Sequence, residues 1–183
     1  MNVWLRAALS AAISGAAASV ASTAALAALS KAEGKQALQP TNSTSHWLHG
    51  EDAGHVREAD LAHTGIGYAT HHASAFLWAF IFERWLAEQP RREPVEMLRD
   101  AAVMSAIAAA VDYGLTPKRL TPGWEEVLSK KAIAATYVAF ALGLAGGSLL
   151  AQDVTKDERP RAKRVGKRAP RRALTHSRLA HNG

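Results

Sequence analysis

The chain has 183 residues, no cysteine, and 22 Lys/Arg against 16 Asp/Glu. Disulfides and thiolate metal sites are therefore excluded, and redox chemistry says nothing about compartment. The basicity is local: residues 1–151 hold 12 Lys/Arg and 13 Asp/Glu, whereas residues 152–183 hold 10 and 3. The mean hydropathy is slightly negative, but the apolar residues are concentrated in four stretches: 7–29, 65–82, about 97–115 and 132–151.

A bilayer core about 30 Å thick needs roughly 20 apolar residues at 1.5 Å each. The first stretch, AALSAAISGAAASVASTAALAAL, carries no charged side chain over residues 7–29 and reads as a span. Its positive start and Ala25-Leu26-Ala27 also fit a cleaved leader. Cleavage would turn the remainder into a soluble helical bundle. The run is longer than an ordinary signal core and three apolar segments follow, so retention is expected. Gly15, Ser19 and Thr23, four apart, form a small-residue stripe on which another helix can approach closely.

Residues 30–64 form the most varied polar segment. His46, His49 and His55, with Glu51 and Asp52, supply nitrogen and oxygen donors for a divalent metal. Loop histidines of this kind more often cap or hydrogen-bond. Asn42-Ser43-Thr44 matches a glycosylation acceptor.

The second stretch, GIGYATHHASAFLWAFIF, is flanked by Tyr68 and Trp85 as interfacial aromatics. The third is free of charge only over Ala101–Val111, and Arg99 and Asp100 mark one interface. Ionisable groups in spans are costly and point to function. Consecutive helices run antiparallel, so His71 or His72 shares a depth with Asp112. Such a pair either relays a proton or cation, or fixes helix packing. Glu83 is expected to anchor near Arg84 or with Arg99 across the short loop.

In the loop before the fourth stretch, Thr121-Pro122 reads as an N-cap with proline at the first helical position. Trp124, Val127 and Leu128 would then line a short amphipathic helix at the interface. The fourth stretch, AIAATYVAFALGLAGGSLLA, places Ala135, Ala139, Gly143 and Gly147 on one face. The ending is GxxxG, a contact for another helix or for a second copy of the chain. The remaining tail has no apolar periodicity and is expected to be disordered. Arg161, Lys163, Arg164, Lys167, Arg168, Arg171 and Arg172 suit anionic lipid headgroups. The tail has no aromatic residue to stack on bases, so nucleic acid is not the expected partner.

With four spans, the N-terminus, the 83–96 loop and the tail share one side. That side collects 15 cations against 7 on the other, which puts both termini in the cytoplasm. The expected architecture is all-α: a bundle of four transmembrane helices over residues 1–151, with a polybasic tail over 152–183.

NSTSHWLHGEDA…HTGIGYATHHASAFLWAFIFE and DYGLTPKRLTPGWE resemble segments of a group of small proteobacterial inner-membrane proteins with four predicted helices. More loosely they resemble the YagU-like membrane proteins. The resemblance implies an inner-membrane location over about residues 40–150 and brings no activity or cofactor. His46, His72, Asp112, Arg119 and Glu125 match its prominent positions. No Gly-rich phosphate loop, HExxH or GxSxG is present. The expected role is structural or interaction-based. The alternative is a small transporter or channel-like protein with a polar path through His71, His72 and Asp112.

Overall fold

The structure, a computed structural model, describes residues 2–155. The tail cations named above lie outside them. Among the described residues every regular element is helical: α1 (Val3–Ala32), α2 (Gln39–Ser43), α3 (His46–His49), α4 (Ile66–Leu86), α5 (Pro94–Gly114) and α6 (Lys130–Val154). Short 3-10 turns and one π turn lie between them. The four long helices cover the four apolar stretches to within a residue.

Three of the four long helices start where the sequence supplies a side-chain cap, and α4, entered from Gly65, has none. Asn2 accepts from the Trp4 amide at 2.7 Å to open α1. Glu93 and Glu96 form a reciprocal capping box before Pro94 at α5. Ser129 accepts from the Ala132 amide at 3.2 Å to open α6. Such caps satisfy N–H groups that have no partner inside the helix.

The helices run antiparallel in chain order, but their packing order is different. α1 is central, with α4 on one side and α6 on the other, and α5 rests on the far side of α6. α4 and α5, though consecutive, hardly touch. Small residues allow this. A Cβ on Gly15 would lie 3.0 Å from the Phe76 Cα of α4. On the adjoining face, a Cβ on Gly143 of α6 would lie 2.7 Å from the Ala18 Cα. Gly143 and Gly147, on which a contact between copies was expected, are therefore occupied by α1 of the same chain. Two buried serines of α1 return their hydroxyls to the backbone, Ser14 to Ser10 O at 3.0 Å and Ser22 to Ala18 O at 2.7 Å.

Two helices, α1 and α6, are long and apolar enough to cross a membrane. α4 and α5 have 21 residues each, which is sufficient length. His71, His72, Glu83 and Arg84 in the one, and Arg99, Asp100 and Asp112 in the other, make them more polar. The expectation of four evident spans is thus met by two.

Residues 33–65 and 115–129 meet over one end of the bundle and form a folded cap. At its centre Asn42 is fully buried. Its amide donates to Val56 O at 2.9 Å and Glu58 O at 3.1 Å, while its oxygen accepts from the Thr64 hydroxyl at 2.6 Å. A side chain so enclosed is no glycosylation acceptor. Trp124, Val127 and Leu128 also differ from expectation. They are buried against Leu26 and Ala132, and Trp124–Glu126 is a single 3-10 turn rather than an amphipathic helix at the surface. Gly123 makes the descent possible with φ +77°, where a Cβ would also strike His46 Nδ1 at 2.6 Å.

The other end is held by ion pairs. Arg84 meets Glu88 at 2.6 Å, and Asp100 receives Arg92 at 2.9 Å and Arg99 at 2.7 Å. Arg91 pairs with Asp153. Glu83 was expected to anchor near Arg84 or with Arg99. It is buried and accepts from the Ser148 hydroxyl of α6 at 2.6 Å.

Candidate functional site

Because α4 and α5 splay apart, the cap end of the bundle encloses a cavity of about 220 Å³. Its walls come from α4 (Thr70, His71, Ser74, Trp78), α5 (Ala108, Asp112), α6 (Tyr137, Phe140) and the cap (Trp47, Trp124). Below it the bundle closes on an apolar core that includes Ala79, Phe82, Leu86, Met97 and Leu144.

His71 and Asp112, paired from their expected depth, do line one cavity, but each has another partner. His71 Nε2 lies 2.9 Å from Ser22 Oγ. The one Ser22 proton is directed at Ala18 O, so Nε2–H donates and Ser22 accepts. The His71 ring also meets the Trp124 ring edge-on, with centroids 5.5 Å apart. Asp112 Oδ2 accepts from the Tyr137 hydroxyl at 2.7 Å. His72 is turned away, its ring stacked on Tyr68 at 5.8 Å, and it does not line the cavity.

Two indoles order this end of the bundle, Trp124 by joining the two segments of the cap and Trp47 by joining the cap to α4. Trp124 Nε1 donates to Thr44 Oγ1 at 3.1 Å, and Trp47 Nε1 donates to Thr70 Oγ1 at 3.2 Å. Arg119 Nε donates to Trp47 O at 3.1 Å, and Glu125 Oε1 accepts from the Thr121 hydroxyl at 2.6 Å. Arg119 and Glu125 therefore shape the loop that carries Trp124.

The five metal-donor candidates of the first loop are not brought together. His46 Nδ1 faces Ser43 O at 2.9 Å and its Nε2 faces Lys118 O at 3.1 Å. Both ring nitrogens are thus occupied by carbonyls. His49 Nε2 donates to Ala62 O at 3.0 Å. His55 stands apart beside Asp52, 3.9 Å away and exposed, and Glu51 is exposed on the same turn. Among the described residues no group of three or more metal-ligating side chains converges. Nearby, the His63 amide and ring hold the Asp60 carboxyl below its usual range.

Tyr137, Trp47, Trp78 and Ser22 were not singled out by sequence, and Trp124 was read there only as an interfacial residue. A signal existed for Ser22. With Ser19 three residues before it, Ser22 belongs to a pair of polar groups on one face of an alanine helix. Comparison with known proteins finds no match to the chain among protein-family models, curated proteins or solved structures.

Proposed function

We propose that the chain is a multi-pass integral membrane protein in which all four long helices cross a bacterial inner membrane, with both termini cytoplasmic. Its role is structural or interaction-based. One observation carries the membrane reading: the bundle is packed with small residues and faced with large apolar ones. Ala11, Ala18, Ser14, Ser22 and Thr136 are fully buried. Leu77 and Val103, on the two more polar helices, are 55% and 56% exposed, and Val138 and Leu142 on α6 are 61% and 56% exposed. In water each such side chain forgoes about 1.5–3 kcal/mol of burial. In lipid the exposure costs nothing, and close packing of small residues is what holds helices together. Cleavage after Ala27 would remove the helix on which both α4 and α6 pack, which favours retention of α1.

Because the natural chain lacks cysteine, single substitutions map the topology directly. Leu77→Cys and Leu142→Cys should be shielded from a membrane-impermeant maleimide. Lys118→Cys should react from outside intact spheroplasts, and Arg91→Cys only after lysis. Reaction of all four from outside would sink the membrane reading.

An interaction role is favoured by the exposed polar groove of the cap, about 590 Å³ between His46, His49, Glu51, Lys118, Arg119 and Glu125. The transporter reading draws on the cavity shared by His71 and Asp112. Against it stand the apolar closure beneath that cavity and the outward turn of His72. Proton or metal flux in proteoliposomes that falls with Asp112→Asn would favour transport, and absence of flux in the parent protein would favour the structural role.

A further inference from the structure

The cavity at the cap end is chemically asymmetric. It holds one carboxylate, Asp112, and no Lys or Arg among the described residues that line it. Tyr137 occupies Oδ2, while Oδ1 accepts no hydrogen bond from the described residues. The imidazole of the wall, His71, is held by Ser22 at 2.9 Å. Elsewhere the same cavity is lined by the rings of Trp47, Trp78, Trp124, Tyr137 and Phe140.

A lone carboxylate half-buried in aromatic walls is expensive unless a positive charge meets it. Aromatic rings attract cations through their negative faces, and cages of such rings are the usual receptors for quaternary ammonium groups. The volume of about 220 Å³ corresponds to roughly seven water-sized groups at about 30 Å³ each. We infer that this cavity is a binding site for a small organic ammonium ion, with Asp112 as counter-ion and the aromatic side chains as its walls.

A strongly hydrated metal ion suits the site poorly, because one carboxylate is its only anionic ligand and three of the lining hydroxyls, those of Thr44, Thr70 and Thr121, are already engaged in hydrogen bonds within the protein. An organic ammonium carries its own apolar surface and needs no shell of oxygen ligands. Entry is from the cap end, since the core closes the other. The inference concerns the bundle's interior and stands whether or not all four helices cross a bilayer, so its test is separate from the topology map.

The full chain, purified in a mild non-ionic detergent, would be titrated calorimetrically with choline and with 3,3-dimethylbutan-1-ol, its uncharged isostere. Choline should bind saturably, and the isostere at least tenfold more weakly. Asp112→Asn retains the acceptor for Tyr137 and should weaken choline binding at least tenfold with little change in thermal midpoint. Ala108→Leu, which fills the cavity and leaves Asp112 in place, should abolish binding, and it keeps the test open if the Asp112 variant misfolds. No saturable choline binding, equal binding of the isostere, or unchanged binding by either folded variant would overturn the inference. A free amine and a lipid headgroup share this chemistry. Displacement of choline by glycerophosphocholine would assign the site to a headgroup, and failure to displace would assign it to a free amine.

Discussion

Gly147 of α6 approaches α1 so closely that a Cβ on it would sit 2.5 Å from the Ser14 Cα and 2.9 Å from the Ala17 Cβ. The obstacle on one side is backbone, which cannot swing aside. Gly147→Ala should therefore push α1 and α6 apart and destabilise the bundle by about 1–3 kcal/mol, and Gly147→Leu by more. Gly146, next to it, has nothing within 4 Å of its Cβ position. Gly146→Ala should be neutral or stabilising, by up to about 1 kcal/mol through helix propensity. Thermal midpoints in detergent would check the contrast, and equal effects at the two positions would mean that α1 does not pack there.

The joint between cap and bundle rests on Trp124, which is 4% exposed and meets the His71 and Tyr137 rings at 5.5 and 5.7 Å. Trp124→Ala should cost about 3–5 kcal/mol, as a large buried aromatic does. Thr44→Val removes the acceptor for the indole N–H and the hydroxyl's own bond to Pro40 O at 3.2 Å, and should cost about 1–3 kcal/mol. Chemical or thermal unfolding of both variants would separate packing from the hydrogen bonds.

Within the cap, Asn42→Ala would withdraw the partners of two carbonyls and one hydroxyl in a fully buried place. Leaving such groups unsatisfied costs about 1–3 kcal/mol for each group removed. The loss should be concentrated in residues 50–64. Limited proteolysis should cut there in the variant and not in the parent protein, with the long helices left intact.

The helices could be read from sequence because a charge-free run of suitable length admits few other structures, and the caps Ser129 and Glu93–Glu96 mark their starts. Their packing order could not be read. Gly143 and Gly147 advertise a close approach but not whose backbone approaches, and the answer, Ser14 and Ala17, lies over a hundred residues earlier. The same holds for the site. Depth along antiparallel helices correctly places His71 and Asp112 in one cavity, since depth follows from rise per residue. Azimuth does not follow, because it depends on how α4 and α5 rotate against α6. Hence Tyr137 was missed as the partner of Asp112, and His72 was kept when its ring points elsewhere. Trp124 was misplaced for a related reason. A short apolar cluster after Thr121-Pro122 suits an interfacial helix, and only the tertiary slot beside Leu26 draws it inward.

At the seam between α1 and α6, Ser129 donates its backbone N–H to Glu33 Oε2 at 3.1 Å and its hydroxyl to Oε1. These hydrogen bonds, the hydroxyl first, hold the Glu33 carboxyl below its ordinary range. Glu33 is thus ionised more readily in the folded chain than in the unfolded one. The stabilisation it gives is complete at pH values above the ordinary glutamate pKa of about 4.3. It is lost as pH falls through the lower folded-state value. Between pH 6 and pH 3 the parent protein should lose more stability than Glu33→Gln, which cannot titrate at this position. The two proteins should approach one another at the acid end, because a protonated Glu33 and a glutamine present similar neutral groups to Ser129. The carboxylate is exposed, so the difference should be small and should shrink with added salt. Thermal midpoints of both proteins across this range would decide it. Parallel pH profiles would mean that Ser129 holds α1 to α6 without help from the Glu33 charge.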